Sequence, residues 1–327
     1  MKIACYLPET IYTNQDLEKD FPDWTADKIE AKVGIRERHV VSASETALDL
    51  AYEASKRVLV DFNPEKIDFI LLCTQSPDYF LPTSACILQD KLGLGKNTGA
   101  LDFNLGCSGF IYGLALAKSL IKTGIASNVL LVTAETYSKH MHHSDRANRS
   151  IFGDGAAATI VESSDIEKIH EFELGTDGSG MNNLIVKCGG MRQPYQANQD
   201  EKTDENGNFY SPNHLYMNGP EIFNFTISSI PGVVDAVLKK NNLPMEQVDY
   251  FIFHQANKYM LEYLRKKIKI PQEKFYSNML ETGNTVSATI PIALAESIKQ
   301  NIVHRGNKIM LVGFGVGYSW GGVIVEI

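Results

Sequence analysis

The sequence predicts an α/β protein of two similar halves, in which two mixed, mostly parallel sheets pack around buried helices. Three observations predict it: four segments recur in the same order, short apolar strands alternate with helices, and one helix is apolar on every side. A sheet covered on both faces needs strands that are apolar throughout, and a helix between two sheets needs an apolar surface all round. We therefore expect a sheet, a helix layer and a second sheet, with further helices outside.

The duplication is visible as four pairs of similar segments. In three pairs the second copy lies 178 to 181 residues after the first, and in the fourth it lies 164 residues later. The shorter offset indicates about 16 additional residues in the first half, between Glu135 and Phe152. We predict a first half over 1–170, with an insertion at 136–151, and a second half over 171–327. The pairs are 67–72 with 248–253, 115–119 with 293–297, 129–132 with 309–312, and 160–162 with 324–326.

The individual elements follow from the local pattern. Short apolar runs predict strands, and longer segments with apolar residues at helical spacing predict helices, the first of which stops at Gly124. The polar stretch 189–218 is rich in Asn, Asp and Gly, which is typical of a long surface segment. The predicted strands include 69–73, 102–105 and 250–253, and the predicted helices include 108–122 and 290–299.

Composition narrows the class of protein. Apolar residues make up 44% of the 327-residue chain and charged residues 21%, which excludes disordered and fibrous proteins. The net charge of −8 argues against a nucleic-acid partner. No apolar run approaches the length of a membrane span, and Pro8 interrupts the start before a signal-peptide core. The five cysteines have no close spacing that would begin a zinc or redox motif, and their odd number in a chain without a signal peptide predicts reduced thiols and a cytoplasmic location.

Cys107 is the first candidate for chemistry. It lies between a predicted strand and a predicted buried helix, where the helix dipole and unpaired backbone N–H groups favour the nucleophilic thiolate. Its neighbours Gly106, Ser108 and Gly109 are small and leave room for a substrate carbonyl. The position alone leaves open the alternative that Cys107 is a packed structural cysteine.

His254 and Asn284 occupy similar positions in the second half. His254 follows the strand 250–253, and Asn284 precedes the helix 290–299, in the turn that the duplication pairs with the turn of Cys107. Open α/β sheets place their sites at the carboxyl ends of strands, so we expect the three side chains to belong to one site. A satisfied structural histidine is the alternative for His254.

Motifs along the whole chain resemble the 3-oxoacyl-ACP synthase III family. The resemblance implies a thiolase fold, a duplicated five-layer αβαβα arrangement, and a homodimer. The motifs are Gly-Ile-Arg-Glu-Arg-His at 34–39, Gly-Cys-Ser-Gly-Phe at 106–110, Phe-Gly-Asp-Gly-Ala at 152–156, His-Gln-Ala-Asn at 254–257, Gly-Asn-Thr at 283–285, and Gly-Phe-Gly-Val-Gly-Tyr-Ser-Trp-Gly at 313–321.

The resemblance also implies a reaction and a role for each residue. Cys107 would take an acyl group from acetyl-CoA or another donor, with its own N–H and that of Val316 as the oxyanion hole. Malonyl-ACP would then lose CO₂ and attack the acyl-cysteine, with His254 and Asn284 as hydrogen-bond donors, to initiate fatty-acid biosynthesis. No metal or cofactor would be needed. A specialised condensing enzyme that uses a longer or carrier-bound donor in a secondary pathway is the alternative.

The sequence departs from the family pattern at several substrate positions. Val316 stands where glycine is usual, Lys32 stands where arginine is usual, and Leu81 replaces an aromatic residue that reaches across the dimer. Trp24 does not have the spacing of the tryptophan that stacks on the CoA adenine, whereas Arg146 matches the arginine on the adenine side. By the same resemblance, the further residues expected to contact CoA, pantetheine or the acyl group are Gly219, Phe223 and Asn257.

A basic cluster follows His254 on a predicted helix. Arg265, Lys266, Lys267 and Lys269 would suit the docking of an acidic acyl carrier protein on this net-acidic chain. An ordinary solvated helix face is the alternative.

Other interpretations find less support in the sequence. A papain-like protease also has Cys, His and Asn in this order, but its cysteine signature near the N-terminus is missing here. A non-catalytic scaffold on the same fold would not need all three residues. The cluster of His140, His142 and His143 invites a metal site, but no nearby ligand completes a set, so we expect no metal.

Overall fold

The computed structural model describes residues 1–197, 199–203 and 208–327. Its first half alternates strands and helices as the sequence predicts, and near the N-terminus two short antiparallel strands flank a pair of helices. The elements of this half are β1 (Lys2–Tyr6), β2 (Thr10–Thr13), α1 (Asn14–Asp20), α2 (Ala26–Val33), β3 (Glu37–Val40), α3 (Ala47–Leu59), β4 (Phe69–Cys73), α4 (Ser84–Lys91), β5 (Gly99–Phe103), α5 (Gly109–Lys122), β6 (Asn128–Glu135), α6 (Arg146–Arg149) and β7 (Gly155–Glu162).

The second half repeats the pattern after a segment of short strands. Part of the predicted surface stretch 189–218, namely residue 198 and residues 204–207, lies outside the described residues. The elements of this half are β8 (Glu173–Thr176), β9 (Leu184–Ile185), β10 (Lys202–Thr203), β11 (Phe209–Tyr210), β12 (Tyr216–Met217), α7 (Gly219–Lys240), β13 (Tyr250–Phe253), α8 (Lys258–Ile268), β14 (Phe275–Tyr276), α9 (Thr289–Lys299), β15 (Lys308–Gly315) and β16 (Ser319–Glu326).

Two five-stranded sheets share one topology. The strand order is β1-β7-β6-β4-β5 in the first sheet and β8-β16-β15-β13-β14 in the second. In the first, β6, β4 and β5 pair in parallel, and β7 is antiparallel to both β6 and β1, so four of the five strands run in one direction. The second sheet has the same pairings. The sheets are therefore mixed and mostly parallel, as predicted.

The layers follow the order helix, sheet, helix, sheet, helix. Helices α3 and α4 cover the outer face of the first sheet, and α7 covers the second sheet with α8 against it. Helices α5 and α9 lie between the sheets, where α5 contacts strands of both. Their buried side chains, such as Phe110, Leu114 and Leu294, fill the space between the two sheets. The helix that is apolar on every side is thus the central one.

The duplicated segments occupy equivalent places. The four sequence pairs fall on β4 and β13, α5 and α9, β6 and β15, and β7 and β16. The hairpin from β15 to β16 is short, whereas the corresponding connection from β6 to β7 spans 136–154 and carries α6. The additional residues of the first half are therefore where the offsets place them. The chain crosses between the sheets over 163–172, and the division at residue 170 stays a prediction.

Helix α7 is long and apolar enough to span a membrane by length and composition, which the sequence analysis did not expect. Its buried residues include Ile230, Val234 and Val237, which pack into the core beneath the second sheet. A core helix shows the same composition as a membrane helix because both place apolar side chains in an apolar surrounding.

Val58 and Val60 provide a matched test of the outer helix layer. Val58 on α3 is 5% exposed in the core against the first sheet, whereas Val60 at the end of the helix is 79% exposed. Val58→Ala should lower the free energy of unfolding by roughly 1–3 kcal/mol, because two methyl groups leave a packed core. Val60→Ala should change it by less than about 0.5 kcal/mol. Equal losses in chemical denaturation would contradict this packing.

Candidate active site

The turn that carries Cys107 packs tightly against a strand of the second half. A Cβ atom on Gly315 would lie 2.8 Å from Cys107 Sγ, and one on Gly313 would lie 2.8 Å from the carbonyl oxygen of Cys107. Glycine at both positions lets the backbone of β15 approach the turn this closely. Cys107 is consequently buried, at the N-terminal end of the central helix α5.

The thiol of Cys107 is protonated in the free protein. Burial raises its pKa to about 12, and the carboxyl of Glu135 acts in the same direction. Hydrogen bonds from the backbone N–H groups of Cys107 and Val316 lower the pKa but do not outweigh these effects. The expectation of a thiolate from helix position alone is therefore wrong for the free protein, because burial dominates. The two N–H groups nevertheless point at the sulfur.

His254 follows β13 and is held in a neutral state. The side chain is buried, and burial lowers its pKa to about 3. Its Nδ1 lies 2.8 Å from the hydroxyl of Thr289, which also lies 2.9 Å from the carbonyl oxygen of Val286. The Thr289 hydroxyl has one proton, so its orientation decides which ring nitrogen carries the imidazole proton.

Asn284 has its amide orientation fixed by the backbone. Its Oδ1 accepts a hydrogen bond of 2.9 Å from the N–H of Val286, so the amide NH₂ is the outer end. Nδ2 of Asn284 lies 3.5 Å from His254 Nε2. The turn itself is bound to the first half through hydrogen bonds of the Asn284 backbone with Ile151 and Gly153. The amide donor of Asn284 and the His254 ring thus meet at one point.

Cys107 and His254 adjoin one short segment of β15 and its turn, and Asn284 reaches it through His254. The ring of Phe314 packs edge-on against His254, with centroids 5.5 Å apart. Gly315 lies against Cys107, and Val316 directs its N–H at the sulfur. The structure therefore gathers the residues that the sequence analysis placed in one site.

Glu135 is a buried carboxyl beside this site that the sequence analysis did not select. It ends β6, and it accepts hydrogen bonds from the Ser287 hydroxyl at 2.7 Å and the Gln75 N–H at 3.0 Å. Burial raises its pKa to about 8, although the hydrogen bonds from Ser287, Gln75 and Ser76 oppose this. The sequence could have indicated Glu135, because it is an acidic residue at the end of the mainly apolar strand 129–134. The carboxyl ends of such strands lie at the edge of the sheet where sites are found.

Apolar side chains pack around Cys107, and we call this cluster the chamber. Its walls come from both halves and from the insertion, and the side chain of Val316 is part of it. The buried members besides Cys107 are Tyr137, Phe152, Leu184, Leu215 and Val286, and the partly buried ones include Met141, Ile151, Met217 and Ile222.

A cleft of about 700 Å³ opens beside the chamber and shares Ile151 and Met217 with it. Lys32, Arg146 and Gly219 line the cleft, as does Trp24, which sequence spacing had left without a match. Lys32 Nζ lies 4.8 Å and the Arg146 guanidinium carbon 5.8 Å from the centroid of the Trp24 ring. The structure therefore places Trp24 beside both cations. Trp24 precedes α2 and Lys32 lies in its last turn, and the Lys32 side chain reaches the tryptophan ring.

The remaining predicted substrate residues lie in three different settings. Phe223 stacks on Tyr259 at the surface of α7 and α8, with ring centroids 5.5 Å apart. Asn257 caps α8 by accepting a hydrogen bond of 2.9 Å from the N–H of Met260. Leu81 is 82% exposed in the loop between β4 and α4, outside the chamber of its own chain.

The basic cluster on α8 is only partly exposed. Arg265 forms an ion pair with Glu262 at 3.0 Å, and Lys267 Nζ donates to the carbonyl oxygen of Ile227 at 2.8 Å. Lys266 and Lys269 are exposed. Arg265 is thus a poorer docking residue than the sequence suggested, because its charge is already paired.

The predicted histidine cluster forms a stack of rings. His142 packs on His143 and on Phe209, with ring centroids 4.1 and 4.3 Å apart, and His214 meets it edge-on. His140 lies apart, with Nε2 3.2 Å from the carbonyl oxygen of Gln75. Among the residues that the structure describes, no group of three or more His, Cys, Asp or Glu is arranged to hold a metal ion.

Comparisons with known proteins identify the family. The family model for 3-oxoacyl-[acyl-carrier-protein] synthase III matches residues 101–178, and the model for its C-terminal part matches residues 238–327. Beta-ketoacyl-[acyl-carrier-protein] synthase III of Clostridium perfringens (strain ATCC 13124) is 39% identical over 325 residues, which cover 98% of this chain and 97% of the relative. The chain belongs to the 3-oxoacyl-ACP synthase III family.

Solved structures of this synthase family have the same fold. A crystal structure of 3-oxoacyl-ACP synthase III at 2.1 Å matches with a TM-score of 0.97 and 50% identity, over 99% of this chain and 98% of that one. The 3-oxoacyl-ACP synthase of Burkholderia xenovorans LB400 matches with a TM-score of 0.92 and 35% identity, over 100% of this chain and 93% of that one.

The family establishes what kind of enzyme this is. This synthase III is an acyltransferase that performs the condensation which initiates fatty-acid synthesis, on a duplicated thiolase-like fold. The papain-like protease and the non-catalytic scaffold are thereby excluded.

Proposed function

We propose that Cys107 is the nucleophile that carries the acyl group during the reaction. Sγ attacks the thioester carbon of an acyl-CoA, the CoA sulfur leaves, and the thiol proton ends on that departing sulfur. The observation that carries this proposal is that the N–H groups of Cys107 and Val316 both point at the position of the sulfur. The negative oxygen of the tetrahedral intermediate is bonded to the carbon that the sulfur attacks, so we expect the same two N–H groups to act as its donors.

His254 and Asn284 act in the second step. Malonyl-ACP loses CO₂, and the resulting enolate carbon attacks the acyl carbon on Cys107. The Cys107 sulfur leaves as a thiolate and then takes a proton from solvent. Two donors, Asn284 Nδ2–H and His254 Nε2–H, stabilise the enolate oxygen. This role requires the Thr289 hydroxyl to donate to His254 Nδ1 instead of to the Val286 carbonyl oxygen, which leaves the single imidazole proton on Nε2. A neutral histidine suffices because decarboxylation, not proton removal, creates the nucleophile.

The partial reactions separate these roles. Cys107→Ala should abolish the acyl adduct that intact-protein mass spectrometry detects after exposure to acyl-CoA. His254→Ala and Asn284→Ala should still form the adduct but should lose about 100-fold or more in condensation with malonyl-ACP, because each removes an oxyanion donor. His304→Ala, at an exposed histidine, is the control and should leave both steps unchanged. An adduct on Cys107→Ala would contradict the proposal for the nucleophile.

The acyl donor is a short acyl-CoA, with acetyl-CoA the leading candidate. Bulky side chains such as Tyr137, Phe152 and Leu215 pack around Cys107 in the chamber. Val316 adds two methyl groups to its wall, and one of them would lie 2.5 Å from a Cβ atom on residue 106. These groups limit the length of the acyl chain. In the same mass-spectrometric assay, adducts formed only from long or carrier-bound donors would instead support the specialised condensing enzyme.

The cleft of Trp24 binds the nucleotide end of CoA. An adenine stacks favourably between an aromatic ring and a guanidinium, and the two cations Lys32 and Arg146 suit its phosphates. The side chains of Ile151 and Met217 lead from this cleft to the chamber of Cys107, along the path that a pantetheine arm would take. Gly219 lies on the wall of the same cleft, where it leaves room for the arm.

The acyl carrier protein docks on α8 beside the cleft. The start of α8 lies close to the end of α2, which carries Lys32. Lys266 and Lys269 present positive charge at the C-terminal end of α8 on an otherwise acidic protein, and Lys267 lies between them. Charges of this kind steer an acidic partner towards the entrance.

Two substitutions should each raise the KM for a different substrate, which tests the two binding surfaces separately. Trp24→Ala should raise the KM for acyl-CoA about tenfold, because stacking is lost, while leaving the KM for malonyl-ACP unchanged. Lys266→Glu should raise the KM for malonyl-ACP by roughly tenfold and leave the reaction with acyl-CoA unchanged. Lys299→Glu, on a different surface, is the charge control. If Lys266→Glu and Lys299→Glu behave alike, net charge rather than a docking surface is responsible.

We further propose that this synthase III is a cytoplasmic homodimer that forms through β5. Strand β5 is the edge of the first sheet in the described residues, and an unpaired edge is a template for another chain. The neighbouring loop exposes Tyr79, Phe80 and Leu81, and it is bound to β5 where the N–H groups of Ser84 and Ala85 donate to Asp102. Such exposed apolar side chains favour an interface, through which Leu81 would reach the partner's chamber.

Leu101 and Leu174 test the dimer. Both are partly exposed leucines on edge strands, Leu101 on β5 at 46% and Leu174 on β8 at 38%. Leu101→Lys should convert the dimer to a monomer in sedimentation velocity, because it places a charge in the interface, whereas Leu174→Lys should not. A monomeric wild type would refute the dimer, and dissociation by Leu174→Lys alone would place the interface elsewhere.

A further inference from the structure

Glu135 has a setting that none of the proposed steps uses. It is fully buried at the end of β6 and accepts hydrogen bonds from the Ser287 hydroxyl at 2.7 Å, the Gln75 N–H at 3.0 Å and the Ser76 hydroxyl at 3.5 Å. Gln75 and Ser76 follow β4 in the first half, whereas Ser287 precedes α9 in the second. The carboxyl therefore joins the two halves beneath the site.

Two of the three hydrogen-bonding partners, Gln75 and Ser287, adjoin the turn of Cys107. The Gln75 Oε1 atom would lie 2.7 Å from a Cβ on Gly106, which precedes Cys107. Ser287 Cβ would lie 3.5 Å from a Cβ on Gly109, two residues after it. Ser287 also belongs to the turn of Asn284. Glu135 thus supports the nucleophile's turn from both sides and lies next to the turn of the amide donor.

The groups around Glu135 allow its charge to act on Cys107. Apart from Cys107, the titratable groups that face this pocket are acids or a neutral histidine. Among the contacts of the described residues, no lysine or arginine pairs with the Glu135 carboxylate. In a buried pocket two negative charges oppose each other strongly. These other groups are Cys73, Tyr137, His140 and Asp154.

We propose that Glu135 is a positioning residue of this site, which holds the Gln75 and Ser287 segments on either side of the Cys107 turn and, when ionised, opposes formation of the Cys107 thiolate. The inference rests on the proposed nucleophilic role of Cys107. A proton held on Glu135 lets the chamber carry the single negative charge of the thiolate when Cys107 leaves the product. Ionisation of Glu135 makes that thiolate a poorer leaving group and a rarer nucleophile.

Glu135→Gln tests the charge with little change in shape. A glutamine oxygen accepts from the Gln75 N–H, and its NH₂ donates to the Ser287 oxygen, so the bridge is kept. The readout is the rate at which iodoacetamide alkylates Cys107, followed by peptide mass spectrometry from about pH 6 to about pH 10. Below about pH 7, where Glu135 is protonated, wild type and Glu135→Gln should react at the same rate. Above about pH 8 the variant should react roughly tenfold faster, because only wild type carries the opposing charge.

Ser287→Ala provides a second variant with a different signature. It removes a donor that stabilises the carboxylate, so Glu135 ionises at a higher pH, and the rise of Cys107 alkylation with pH levels off at a correspondingly higher pH than in wild type. Glu171→Gln changes an exposed carboxyl and should follow the wild-type profile throughout.

The outcomes separate this inference from the proposed function. Thermal unfolding checks that Glu135→Gln is folded. If the folded variant has the same alkylation profile as wild type at every pH, the inference is overturned. A uniform change at all pH values would indicate a purely structural role and would also overturn it. If instead wild type forms no acyl adduct that depends on Cys107, the proposed nucleophile fails, whatever the alkylation profile shows.

Discussion

The site depends on one close contact between the halves, where strand β15 lies against the turn of Cys107. A side chain at Gly313 or Gly315 would occupy the space of the turn's backbone or of the sulfur itself. Because glycine permits the approach, the N–H of Val316 reaches Sγ, and Phe314 meets His254 on the same segment. Cys107, the N–H of Val316 and His254 are thus brought together by a contact between the halves, in which Cys107 and Gly315 are 208 residues apart in sequence.

Burial then determines the protonation states that the chemistry has available. The same loss of water raises the pKa values of Cys107 and Glu135 and lowers that of His254, so the resting site carries a thiol, a neutral imidazole and a protonated carboxyl at neutral pH. A site of this kind avoids the cost of an unpaired buried charge. It is suited to a reaction in which negative charge appears only while substrate is bound and donors are already aimed at it.

The duplication gives the two halves one scaffold and different turns. Equivalent strands end at the same edge of each sheet, and the turn before the central helix carries Cys107 in one half and Asn284 in the other. The insertion after β6 exists only in the first half, where Tyr137 and Met141 form part of the chamber and Arg146 part of the cleft. Repetition therefore supplies the framework, and departures from it contribute to the chamber and the cleft.

The sequence by itself determined the layered fold and the candidate trio. The fold could be predicted because apolar strands, a helix apolar on every side and four repeated segments are visible in the sequence itself. The trio could be predicted because Cys107, His254 and Asn284 each lie in a turn between a strand and a helix, within a recognisable motif. Only the tertiary structure decided the protonation of Cys107, the place of Trp24 beside Arg146, the pairing of Arg265 and the role open to Glu135. Each of these depends on burial or on a contact between distant segments, and neither quantity can be read from spacing along a chain.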